Sequence, residues 1–262
     1  FKINFSFSSD ISYEILPSPH FSVKNAKIYT NDADKPKQIS EIKELKVFIS
    51  QNNFFNKEKL EIQKILIDKA NFSLQLKDFV YLNKLTDKKF SKKIISIKNS
   101  RIFFKDNANE TISIIKISKL FSFYDNLKFI NIVDAKGNIF NLPFAIKLNK
   151  EINKQLKHND LIVDSKILKL RLEDKSHKFT QDGFNGTKGT NILYILNSKL
   201  VTQYEYLNDL VLFQSTNSNF SNSKIDYSGK LFIDPFDLIL NIVIEDLNLN
   251  KWINPNSIFL EL

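Results

Sequence analysis

Cysteine and methionine are absent from this 262-residue chain, and glycine, proline and arginine are scarce: five, six and two residues. Without cysteine there is no disulfide and no thiolate metal site. Without an initiating methionine the chain is expected to be a piece of a longer protein, with any signal peptide or anchor upstream of Phe1. Long apolar runs are missing too. Segments such as "LIL" and "IVI" around Asn241 fall far short of the roughly 20 residues that cross a bilayer, so no transmembrane helix is expected within the chain. Histidine is limited to His20, His158 and His177, no two of them at a metal-ligand spacing.

Catalytic signatures are equally thin. No G-x-S-x-G elbow occurs, and the glycines of "DGFNGTKGTN" put Lys188 before Gly189, the wrong order for a phosphate loop. Acid pairs such as Glu173-Asp174 and Glu245-Asp246 sit at strand ends. Adjacent residues on a strand point to opposite faces, which is wrong for shared acid–base work. No catalytic residue, metal or cofactor is therefore expected, and the chain reads as a non-enzyme.

The net charge of +9 raises the question of a polyanion partner. Yet the lysines recur along the wet side of alternating segments, as in "KILKLRLEDK", and an excess of Lys, Asn, Ile and Phe is how AT-rich coding spells any protein. In "KNSRIFFK", Phe103 and Phe104 face opposite ways, so at most one could stack on a base. No nucleic acid partner is expected.

What is present is alternation. Apolar residues make up 42% of the chain, with 24 phenylalanines, enough for a sizeable core. In "LEIQKILIDKANFSLQL" (60–76), Ala70, Phe72, Leu74 and Leu76 share one face, while Ile65 and Ile67 run out of phase with Leu60 and Ile62. One-residue slips of this kind are the mark of β-bulges in a long, bent strand. "ISEIKELKVFIS" aligns Leu45, Val47 and Ile49. "KKIISIKNSRIFFKD" carries Ile95 and Ile97, slips at Asn99-Ser100, and resumes at Ile102 and Phe104. After the turn "DNANE", Ile112 and Ile114 complete a hairpin. Leu168 and Leu170 continue the style, as do Leu231 and Ile233, the Asp234-Pro235 turn, and Leu240 and Ile242. The pattern predicts an all-β chain of mainly antiparallel strands with one dry face, which must be covered by closing on itself, by a second sheet or by an apolar ligand. One or two short helices are expected, over 76–93 and from "NLNKWINPN" (248–256). The region 1–262 reads as a single elongated unit, with the irregular stretch 174–191 as a surface loop and the best place for a break.

Four passages in this order resemble the AsmA family of envelope proteins: "ISYEILPSPHFSVKNAKIYT" (11–30), the paired element within 39–76, "ISIKNSRIFFKD" (95–106) and "YSGKLFIDPFDLILNIVIEDLNL" (227–249). The match departs at Ser100, where the family has glycine, and lacks the family's N-terminal membrane helix and C-terminal half. The resemblance implies a long curved antiparallel sheet forming an open groove, anchored in the inner membrane by an upstream helix and extending through the periplasm. It also implies a non-enzymatic conduit for phospholipid toward the outer membrane, with acyl chains as partners and contacts to outer-membrane components. The groove residues so implied are Leu45, Val47, Ile49, Phe72, Leu74, Leu76, Ile102, Phe104, Ile112, Ile114, Leu168, Leu170, Leu231, Ile233, Leu240 and Ile242. The alternative is a structural or assembly-factor β-domain acting by strand pairing on outer-membrane proteins, its apolar face packed as ordinary core.

Overall fold

The structure, a computed structural model, describes residues 3–7, 11–32, 35–50, 61–75, 78, 87–106, 108–152, 158–181, 183–221, 223–233 and 236–246. The chain is all-β and mostly antiparallel. It divides into two compact units, 1–157 with 161–167, and 158–160 with 168–262.

The first unit holds β1 (Ile3–Phe7), β2 (Ile11–Glu14), β3 (His20–Asp32), β4 (Lys35–Ile49), β5 (Ile62–Gln75), β6 (Ile94–Lys105), β7 (Thr111–Asp125), β8 (Ile130–Ile139) and β9 (Leu142–Glu151). Strands β3 to β9 pair in chain order, and β1 and β2 both add to β3. The division between units falls inside β10 (His158–Ser165), where the Ser165 hydroxyl donates to the Pro143 carbonyl of β9 at 2.9 Å. One pair breaks the antiparallel expectation: β5 and β6 run parallel. A parallel neighbour needs a crossover, not a hairpin. The helix expected over 76–93 falls in that connection. Its 87–93 part is turn and irregular backbone instead, and the rest, Asp78 apart, lies outside the described residues, as does 248–256.

Both expected slips are present, and they belong to a wider pattern. Opposite Phe48 and Ile49 the pairing jumps from Lys64 to Ile62, so Gln63 is the extra residue. Farther along, Asn25, Lys43, Lys69, Asn99 and Ser118 each drop out of the ladder at one level of five consecutive strands. Asn25, Lys69 and Asn99 take left-handed backbone, at φ 53°, 53° and 47°. An inserted residue changes which parity of the sequence faces which side. The apolar parity changes at the same places, from Ile65 and Ile67 to Ala70 and Phe72 on β5, and from Ile95 and Ile97 to Ile102 and Phe104 on β6. One apolar face therefore continues across the irregularity.

The second unit is a meander of β11 (Leu170–Gln181), β12 (Phe184–Ile195), β13 (Ser198–Leu207), β14 (Leu210–Ser215), β15 (Ser218–Phe220), β16 (Ser223–Phe232) and β17 (Asp237–Glu245). The stretch 174–191, expected to be a loop, is a hairpin paired residue by residue from Leu170–Ile195 to Gln181–Phe184. Two of its glycines, Gly186 and Gly189, stand where neighbours crowd in. A Cβ on Gly189 would stand 2.5 Å from the Lys175 carbonyl oxygen, so no larger residue fits without movement.

Candidate functional site

Paired residues on neighbouring strands project to the same side of a sheet, so the register identifies what shares a face. In the first unit, one row runs Phe21, Val47, Ile65, Ile95, Ser122, Val133 and Leu148 from β3 to β9. The next runs Val23, Leu45, Ile67, Ile97, Leu120, Ala135 and Ile146. Thirteen of these fourteen residues are apolar. Seven strands at about 4.8 Å spacing make each row about 29 Å long.

These side chains are neither sealed nor free. Val23 is buried, and every other member of the two rows is half-buried. Apolar burial is deepest at the irregular level of the sheet. There Ala26, Ile42, Ala70, Ser100, Ile117 and Gly137 form the third row, four small residues and two isoleucines, all buried but Gly137. Ile42 and Ala26 are 0% exposed and anchor the core cluster with Val23, Ile28 and Ala70. Ser100 does more here than fill space. Its hydroxyl accepts from the Ala70 amide at 2.9 Å and donates to the Lys98 carbonyl at 2.6 Å, while the Asn99 amide donates to Asp68 at 2.9 Å. The Ser100 side chain thus secures a backbone N–H left unpaired by the irregular ladder.

One end of the apolar face is closed by polar residues. Tyr124, Asn131 and Lys150 continue it in register and are buried. Segment 87–91 is tied to them. The Phe90 amide donates to the Asn131 carbonyl oxygen at 2.9 Å, the Asn131 amide donates to the Lys88 carbonyl at 2.7 Å, and Tyr124 N–H bonds the Ser91 carbonyl at 2.8 Å. Lys150 pairs with Asp87 at 2.5 Å, and the Lys89 ammonium sits 4.1 Å from the Tyr124 ring centre. The apolar face thus ends, on this side, at a buried polar cluster.

Of the expected groove residues, Leu45, Val47, Phe72, Leu74, Ile102 and Phe104 lie on this face, and all are half-buried. Ile49, past the Gln63 bulge, is buried. Leu76 is outside the described residues. Ile112 and Ile114 do not join the others. Ile114 pairs with Phe103, so it projects from the opposite side, and the two are 58% and 42% exposed. The β7 positions that line the face are Ile115, Ile117 and Leu120. Ile114 and Ile115 are adjacent and equally apolar, so alternation alone fits either phase.

Leu170, Leu231, Leu240 and Ile242 belong to the second unit and share one face of it. Leu168 lies in the turn before β11, and Ile233 in the turn after β16. That face is crossed by a polar row, Asp174, Asn191, Thr202 and Ser215. Two tyrosines bond into it: Tyr204 donates to Asp174 at 2.9 Å, and Tyr227 and Thr202 share a bond of 2.6 Å. Burial foremost, then the Asp174 carboxylate, pushes the Tyr204 phenol up to about 12.

The register also exposes what alternation concealed. "INIVDAKGNI" and "LPFAIKLNKE" supply four members of the two long rows, yet Ala135 and Gly137 dilute the pattern on β8. The signal that finds them is the two-residue turn Phe140-Asn141, both at positive φ, 49° and 64°, as a tight hairpin requires. Among the described residues no group of three or more His, Asp and Glu is placed to hold a metal. No helix among them is long and apolar enough to cross a membrane. No protein-family model matches the chain, and no curated protein matches it.

Proposed function

We propose that the first unit holds lipid hydrocarbon on its apolar face, and that the chain is a non-enzymatic lipid-binding groove of the AsmA kind, working in the periplasm between inner and outer membranes. The observation that carries the reading is the pair of aliphatic rows across seven strands, half-buried throughout except at Val23. An ordinary core residue is covered by a second layer, whereas these keep part of their surface available. Each acyl CH₂ taken from water onto such a surface contributes about 0.8 kcal/mol, so a chain of about 16 carbons reaches on the order of 10 kcal/mol without a specific polar contact. Moving along the rows exchanges one aliphatic contact for another, which suits passage as well as storage.

Mass spectrometry of the gently purified protein tests this, with photo-crosslinking residues at Ile97 and at Ile114. Phospholipid captured at Ile97 and not at Ile114 supports the reading. Protein that carries no lipid, or equal capture on both faces, refutes it.

A further inference from the structure

The second unit has a concavity of about 590 Å³ on the side opposite Leu231 and Leu240. This is within the size range of small-molecule sites. Five strands each place one neutral polar residue along it, Thr190, Gln203, Gln214, Ser228 and Asn241, in unbroken register. Such a row offers amide donors, amide acceptors and hydroxyls at each strand spacing, with no aromatic ring among them.

The adjacent row carries the charge. Lys188, Glu205, Leu212 and Lys230 follow one another across β12, β13, β14 and β16. Among the described residues neither Lys188 nor Lys230 is in an ion pair. The Lys188 ammonium rests 5.0 Å from the Phe179 ring centre. At the β11 end of this row stand His177 and, 5.7 Å away between ring centres, His158. Lys188 and Lys230 stand three strand spacings apart in this row, about 14 Å at the backbone, with Glu205 and Leu212 between them. A phosphate reached by both lysine side chains, with hydroxyls on the neutral row and on Glu205, uses every group present.

We propose that this concavity binds a phosphorylated sugar, the phosphate taken by Lys188 and Lys230 and the ring hydroxyls by the glutamine, serine and asparagine row. The inference uses another face and the other unit from the lipid reading, and it stands whether or not that reading does. The sugar phosphate is either free or the headgroup of a lipid, since both present the same groups.

Titration of the full chain with glucose 6-phosphate, glucose and inorganic phosphate, followed by calorimetry and amide shifts, tests it. Vesicles of phosphatidylcholine with and without phosphatidylinositol test the lipid-borne source. Glucose 6-phosphate is expected to bind with shifts centred on 188–190, 203–205 and 228–230, and more tightly than glucose or phosphate alone. Lys188→Gln and Lys230→Gln are each expected to weaken it about tenfold, as loss of a charge-assisted bond does. Lys224→Gln removes the same charge outside the concavity, where Lys224 is already paired with Asp226 at 3.0 Å, and is expected to change nothing. Binding only to phosphatidylinositol vesicles, lost in the same two variants, supports the lipid-borne form. No binding to any probe at millimolar concentration, or equal loss in all three variants, overturns the proposal.

Discussion

The two units are made from the same element, the antiparallel ribbon with one greasier side, yet they treat that side differently. In the first unit two adjacent rows are apolar at thirteen of fourteen positions, and inserted residues keep the face continuous where the strands bend. In the second, the row Leu172, Leu193 and Leu200 is followed at once by Asp174, Asn191, Thr202 and Ser215. Apolar content does not separate the units. Continuity does. An unpaired polar group against hydrocarbon costs roughly 2–7 kcal/mol, but here Tyr204 and Tyr227 bond the polar row from its own face. The belt is satisfied internally, so it limits apolar contact without a large penalty for being there.

Placing a charge in the continuous rows is the largest test of this difference. Leu120→Asp is expected to remove most of the lipid that co-purifies, because a carboxylate in the middle of a row strips the contact on both sides of it. Leu193→Asp in the second unit, next to a row that is already polar, is expected to leave lipid nearly unchanged. Lipid mass per protein, measured for both variants, checks the contrast; equal losses would erase the distinction between units. A smaller effect is expected from Ser100→Ala. It leaves the buried Ala70 amide unpaired and should cost about 1–3 kcal/mol in denaturant unfolding.

Much of the first unit was legible in the sequence because β-branched and aromatic residues alternate there without gaps. The strands through Leu45, Phe72 and Ile102 follow from period two, and the slips at Asn99-Ser100 and in 60–76 follow from its interruption. What alternation does not contain is phase at a doublet. Ile114-Ile115 reads equally well either way, and only pairing with Phe103 and Ile102 decides it. Nor does it contain strand direction, since β5 and β6 look like neighbours of either sense until the crossover is seen. The hairpin over 174–191 was hidden for another reason. Its polar and glycine residues are those of a loop, but the backbone ladder needs only N–H and C=O groups, and Gly186 and Gly189 sit where the Phe179 ring and the Lys175 backbone crowd in.

Lys69 offers a finer test of the irregular level in the first unit. Its left-handed backbone, φ 53°, disfavours a side chain with a Cβ by about 1–2 kcal/mol, and the residue is exposed, so Lys69→Gly is expected to raise stability by about 1 kcal/mol. No change, or a loss, would mean that Lys69 is held by something other than the insertion.

The belt of the second unit predicts a dependence of stability on alkaline pH. Tyr204 has its phenol raised to about 12 by burial and by Asp174, and Tyr206 is raised as well, by burial and by Asp209. A phenol that resists ionisation in the fold loses its proton more easily in the unfolded chain, near its ordinary 10. The unfolded state then binds fewer protons than the native one, so stability falls as pH rises. The Tyr204 contribution is complete below about 10 and is lost as pH climbs through about 12. Spectrophotometric titration of the eight tyrosines should show a late-ionising class, and Tyr204→Phe should remove part of it. The same variant should flatten the alkaline fall in stability. A Tyr204→Phe protein whose alkaline titration is unchanged would show that the phenol lies open to solvent and that the polar row is no belt at all.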